Sequence, residues 1–310
     1  MSAAGPFPRR SHRSPQGVGI PMNTLHHADA APGYRMSARD HTVHWVRQLV
    51  VIVLISAILL PIAWIFLTAF KTPRDVYSIS SALWFTPTFE NMLTVFRDPW
   101  SLGNKILNSF AVAGGTVLLA MPMATMAAYA FSRFDFRCKQ AIFLIVIASQ
   151  FIPAAVVVLP YFLMFKEAGM LDTRTALVLV NLSIVLPYAV WMIKGFIDAV
   201  PMEIEESAMV DGAPRSRVIW EIVVPTALPG IITAAVFSFT LTWNEFLFAL
   251  IIAKQHALTL PIGLIGFRTE RGDLWELMAA GGVLITAPMF LISLLVQKQF
   301  VGSLTAGSVR

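Results

Sequence analysis

Glu205-Glu206-Ser207-Ala208-Met209-Val210-Asp211-Gly212-Ala213, running on to Ile222-Val223-Val224-Pro225, is the densest cluster of charge and helix punctuation in the second half of a very apolar chain. Glu203 to Val210 is rich in helix formers, and its acidic first turn suits the positive end of the helix dipole. Gly212 supplies a stop, and Pro214 suits the first turn of a new helix. In that second helix Val218, Ile219, Ile222 and Val223 share one face at helical spacing. The pattern predicts a short helix, a glycine corner and an amphipathic helix, held at a membrane surface.

Composition supports that placement. Of 310 residues, 56% are hydrophobic and 13% charged, and the mean hydropathy is +0.69. A soluble domain carries about a quarter of its residues charged, so that class is excluded. The basic balance, with a pI near 9.6, is scattered at the ends of apolar spans and argues for membrane orientation, not nucleic acid. A lone cysteine, Cys138, excludes an intrachain disulfide and gives no metal-site spacing.

Working outward, six apolar stretches at about 46–70, 105–131, 141–165, 176–197, 228–252 and 276–300 each approach the ~20 residues that cross a bilayer as a helix. The expected fold is an all-α membrane protein of six transmembrane helices. Pro61, Pro122, Pro153, Pro160, Pro187 and Pro288 lie inside or near these stretches, so kinked and mutually packed helices are expected. Residues 1–44 form a polar tail rich in Pro, Gly, Ser, His and Arg, expected to be disordered, ahead of a permease domain at 45–310. Met36 offers a second candidate start. Arg9, Arg10, Arg13, Arg35, Arg39 and Arg47, with Arg133, Arg137 and Lys139 of the second loop, place both segments inside. Six crossings then put both termini and the loop at 198–227 in the cytoplasm.

Several separated motifs occur in order along the chain. They are Phe70-Lys71-Thr72-Pro73, Phe85-Thr86-Pro87-Thr88-Phe89-Glu90-Asn91, Asn108-Ser109, Ala127-Ala128-Tyr129-Ala130-Phe131-Ser132-Arg133, Gly169-Met170-Leu171-Asp172-Thr173, Leu186-Pro187-Tyr188, Trp243-Asn244-Glu245-Phe246 and Leu304-Thr305-Ala306-Gly307-Ser308-Val309. Together with Glu206, Ala208, Asp211, Gly212, Ile222 and Pro225, they resemble the permeases of binding-protein-dependent ABC importers for carbohydrates, of the maltose-transporter type. Ser207 stands where that family has Ala, and Val224 where it has Leu. The resemblance covers about residues 45–310 and implies the type I importer architecture in a bacterial inner membrane. It implies a second permease subunit, two ATPase subunits that hold ATP and Mg, and an extracytoplasmic solute-binding protein, with no cofactor on this chain. It also implies that Glu203, Glu206, Ser207, Ala208, Asp211, Gly212 and Ala213 form a coupling helix on an ATPase subunit. The C-terminal tail, 301–310, is implied to reach between the ATPase subunits through Leu304, Thr305, Ala306 and Gly307.

Glu245 is read as the carboxylate inside an apolar span, where an ionisable group is costly and faces a bundle interior or a wet cavity. Trp243, Asn244 and Glu245 are therefore the candidates for the translocation path, against a plain interhelical hydrogen bond and interface packing. Glu206 and Asp211 have two options: basic residues of a partner, or Arg215 and Arg217 nearby. Gly114-Gly115 and the small residues around Ala127-Ala128 read as close helix packing. No glycine loop ending in Lys-Ser/Thr is present, so ATP chemistry belongs to another chain and this one is not an enzyme. The same fold importing glycerol phosphate or another polyol is the nearest alternative. An ion-coupled secondary transporter is the rival of a different class, and lacks a clear repeat or a second intramembrane charge here.

Overall fold

The computed structural model describes residues 38–270 and 272–306, with side chains for 44–270 and 272–296. By compactness the chain divides between Ile58 and Leu59. In Met1–Ile58 the described backbone is the first part of helix α1 (Ala38–Thr68), and its large apolar side chains from Trp45 to Ile58 are exposed. The helix begins at Ala38, inside the stretch expected as tail, because backbone bonding continues past the last apolar residue. The rest of the expected tail, 1–37, lies outside the described residues.

Leu59–Arg310 holds the bundle: the end of α1, then α2 (Leu102–Arg133), α3 (Lys139–Ala148), α4 (Ala154–Glu167), α5 (Arg174–Asp198), α6 (Met202–Val210), α7 (Arg215–Trp243), α8 (Leu247–Ile252), α9 (Leu260–Ile265) and α10 (Trp275–Ala306). Arg268–Thr269 pairs antiparallel with Gly272–Asp273 in a short hairpin before α10. Among the described residues five helices are long and apolar enough to span a membrane, and the broken pair Lys139–Phe151 and Ala154–Glu167, bent by 96°, makes a sixth if it is one span. The break sits at Ile152-Pro153. Proline has no N–H and drives the preceding residue out of the helical region, and Ile152 is extended at ψ 117°.

The fifth span differs from its expected limits. Instead of opening at 228 and closing at 252, the helix begins at Arg215 and stops at Trp243. The amphipathic helix and the span are one element. Pro225 offers no N–H to the preceding turn, and the backbone absorbs this by widening to a π turn over Ile219–Val223. Hydropathy reads only where lipid contact starts, so it misses a helix that begins in polar residues.

Helices α2 and α5 run parallel at the centre. Ala113, Ala120, Ala124 and Ala128 of α2 and Ala176 and Ala189 of α5 are fully buried, letting the two backbones approach. Helix α7 packs beside them through Gly230, where a Cβ would fall 2.0 Å from a Phe196 ring carbon. Of the glycine pair on α2, Gly115 packs, with a Cβ position 3.3 Å from Val178, whereas Gly114 meets nothing within 4 Å.

Candidate functional site

The helix–corner–helix forms as expected. Helix α6 ends at Val210, and Gly212 takes φ +89°, a conformation that favours glycine. Its N–H donates to Met209 O at 3.1 Å, and the Ala213 N–H to Ala208 O at 3.0 Å. These two bonds are the Schellman closure of a helix C-terminus. Ala208 and Ala213 are half-buried against the core cluster that also holds Val218, Ile219 and Val223, the face anticipated from spacing. The motif thus has a mechanical reading: Ala208, Gly212 and Ala213 fix the angle of the corner. Pro214 sits one position earlier than expected, capping α7 from outside with φ −65° and ψ 150°.

The outer face of the corner is free. Glu203, Glu206, Ser207 and Asp211 are exposed, with Val210 at 87% relative exposure beside them. Local pairing does not consume the acids. Arg217 pairs with Glu221 at 3.5 Å and Arg215 lies 4.8 Å over the Phe134 ring. Among the described residues neither Glu206 nor Asp211 has an ion-pair partner.

The inner face carries a charge that sequence reasoning left without a role. Glu205 is 1% exposed. Its Oε1 accepts from Arg133 Nε at 2.6 Å and its Oε2 from the Tyr129 hydroxyl at 3.0 Å. Arg133 Nη2 donates to Ile197 O at 2.9 Å and Val200 O at 2.8 Å, closing the C-terminal end of α5. Ser132 and Lys194 both hold Asp198, each at 2.6 Å. One guanidinium therefore ties the ends of α2 and α5 to α6. The signal was present: Tyr129 and Arg133 lie four apart on one helix face, with a single acid of α6 turned inward.

A second knot closes the opposite end of α2 and α5. Asp172, at φ +59°, accepts backbone N–H bonds from Lys254 at 2.9 Å, Gln255 at 3.1 Å, His256 at 3.0 Å and Ala257 at 3.0 Å. Burial pushes its carboxyl up, yet these four donors prevail and bring its pKa to about 2. Asn108 donates to His256 O and Leu258 O, both at 2.8 Å, and accepts from Arg174 Nε at 2.7 Å. Ser109 Oγ accepts from Leu260 N–H at 2.8 Å. Nearby, Thr88 N–H bonds Phe70 O at 2.8 Å, and Asn91 bonds the carbonyls of Ala69 at 2.9 Å and Lys71 at 2.8 Å. Motifs far apart in sequence are thus brought together at this end.

Trp243, Asn244 and Glu245 lie at a helix break, not inside a continuous span. The Trp243 indole is 1% exposed, packs 4.7 Å from the Phe110 ring centre and donates to Ile285 O at 3.0 Å. Its surface is spent on packing. Glu245 turns onto α8, accepting from Phe248 N–H at 2.7 Å and Ala249 N–H at 3.1 Å. The carboxylate is costly in an apolar span and is placed where a helix start supplies donors. Asn244 is exposed at the same break. Leu304, Thr305 and Ala306 lie on helical backbone that continues α10, and Gly307 lies outside the described residues.

The sequence profile described as binding-protein-dependent transport system inner membrane component matches residues 117–305, more than half the chain. The chain belongs to that family. It is 30% identical over 262 residues to a diacetylchitobiose uptake system permease protein of Streptomyces coelicolor, covering 84% of this chain and 94% of that one. A trehalose transport system permease protein of Mycobacterium tuberculosis is 30% identical, across 81% of this chain and 92% of its own. A sulfoquinovosyl glycerol transport system permease protein of Agrobacterium fabrum is 31% identical over 81% and 89%. A bacterial ABC transporter involved in import of the acidic polysaccharide alginate shares the fold at TM-score 0.73 and 19% identity, covering 84% of this chain and 98% of its own. A second structure of a bacterial alginate ABC transporter, in complex with an alginate pentasaccharide-bound periplasmic protein, gives TM-score 0.64 at 17% identity, covering 83% and 93%. The membrane character and the type I importer permease fold follow. The corner of α6 and α7 is then the polar element of a membrane-embedded transport subunit.

Proposed function

We propose that this chain is one of two permease subunits of an ATP-driven importer for a carbohydrate, with the α6–Gly212 corner as the coupling helix on an ATPase subunit. The observation that carries this reading is the corner itself. Its inner face is locked to two spans through Arg133 and Glu205, while its outer acids and Val210 are free. A coupling element needs that asymmetry, because a loose loop would absorb the motor's movement before it reached the spans. The carbohydrate class rests on the relatives' own substrates.

In this reading both termini and the corner are cytoplasmic, and the Asp172 end faces outward, where a solute-binding protein delivers cargo. Positive residues at Arg133, Arg137 and Lys139 support that sense. ATP and Mg belong to partner subunits, through which this chain transmits force without chemistry of its own. Leu304, Thr305, Ala306 and Gly307 extend toward the same ATPase subunits. Asn244 and Glu245, at the break after the fifth span, are the polar groups offered to the solute path.

The test is reconstitution with its second permease, ATPase subunits and binding protein in lipid. Solute-stimulated ATP hydrolysis is expected, and Gly212→Pro abolishes uptake while membrane insertion persists. Uptake by this chain without an ATPase would sink the proposal, and normal uptake by the Gly212→Pro variant would sink the coupling assignment.

A further inference from the structure

The end that carries Asp172 also holds a polar cavity of about 320 Å³, lined by Ser101, Asn104, Lys105, Asn108, Arg174 and His256 among others. Its lining includes a lysine and an arginine and no carboxylate. Lys105 Nζ donates to the Trp100 carbonyl, and its stem packs where a Cβ on Gly263 would fall. Arg174 spends only Nε, on Asn108 Oδ1, and its two Nη groups have no hydrogen-bond partner among the described residues. The acids nearby are already engaged. Asp98 accepts from Ser101 Oγ at 2.5 Å, and Asp172 is saturated by four backbone donors. Neither carboxylate lines the cavity.

We infer that this cavity receives a carboxylate side chain of the solute-binding protein. The inference rests on the outward orientation proposed above. A guanidinium fork with two free arms matches a carboxylate geometrically, and the lysine adds a point charge. The volume leaves room for one acidic side chain and several waters, each occupying ~30 Å³. Charges at the rim of an interface act mainly on association rate and salt dependence, so that is where the effect is sought.

The experiment measures association of the solute-loaded cognate binding protein with the intact importer in lipid nanodiscs, across a salt series. Lys105→Gln and Arg174→Gln together are expected to slow association about tenfold and flatten its salt dependence, within the range that steering provides. Lys105→Gln alone gives a smaller drop and leaves the Asn108 bond intact, which separates charge from structural damage. Arg174→Lys keeps most of the association rate. Unchanged association in the double variant overturns the inference. So does a loss confined to solute-dependent turnover with normal binding-protein association, the pattern of a carboxylate on the solute itself. If the wild-type importer binds no solute-loaded protein at all, the function reading fails instead.

Discussion

The two ends of the α2–α5 pair hold one buried or half-buried carboxylate each, and they satisfy it in opposite ways. At the corner, Glu205 meets a side-chain cation, Arg133, and a phenol, with the ion pair almost out of solvent. At the other end, among the described residues, Asp172 meets only backbone N–H groups from 254–257. An ion pair between side chains ties separate helices and can transmit displacement between them, since either partner moving drags the other. A carboxylate on backbone amides instead freezes one loop into one shape. The end we assign to ATPase docking is thus built as a strut, and the end assigned to solute delivery as a fixed rim.

Removing the strut's cation tests the contrast most severely. Arg133→Ala leaves Glu205 buried and unpaired, a class of change that costs about 3–5 kcal/mol, and it also uncaps α5. Thermal denaturation of the solubilised complex reads the loss, and Arg133→Ala combined with Glu205→Gln is expected to recover part of it. No recovery would mean that the carbonyls of Ile197 and Val200, not the ion pair, are what Arg133 serves.

Gly212→Ala comes next. There is open space around this residue, so the penalty is backbone strain at positive φ, about 1–2 kcal/mol, and not a clash. Uptake is expected to fall more steeply than stability. Equal losses in the two measurements would make the corner merely structural.

For the rim, Asp172→Asn keeps a residue tolerant of positive φ and removes the charge. Because the folded carboxyl sits at about 2, below its ordinary value of 3.8, its contribution is present above about pH 4 and lost as pH falls toward 2. Melting curves between pH 2 and 6 should therefore show a wild-type acid transition that is blunted in the Asn variant. An identical pH profile in both would remove the amide knot from the account.

The smallest effect on stability belongs to Glu206→Ala. This exposed acid is unpaired among the described residues, so melting is expected to be unchanged, while co-purification of the ATPase subunit weakens. Unimpaired co-purification would move the docking contact elsewhere on α6.

Much of this was readable before any coordinates. Strong periodicity and the Gly212 stop are local signals, and they placed α6, its corner and the buried face at Val218, Ile219 and Val223. What failed was local reasoning across a break. The fifth span, α7, runs to Trp243 and not to 252, so Glu245 caps α8 at a break. Proline at 225 was absorbed by a π turn, which no composition reveals. Glu205 looked like one acid in a run of three, and only the approach of Tyr129 and Arg133 singled it out.

The sequence by itself determined a polytopic helical membrane chain, its family motifs and the position of its helix–glycine corner, because apolar length and glycine geometry act over a few residues. Tertiary structure alone decided which acid is buried, which cation answers it and that Lys105 and Arg174 line one cavity. Those outcomes depend on residues about 70 to 150 positions apart meeting at helix ends, and no local pattern encodes such meetings.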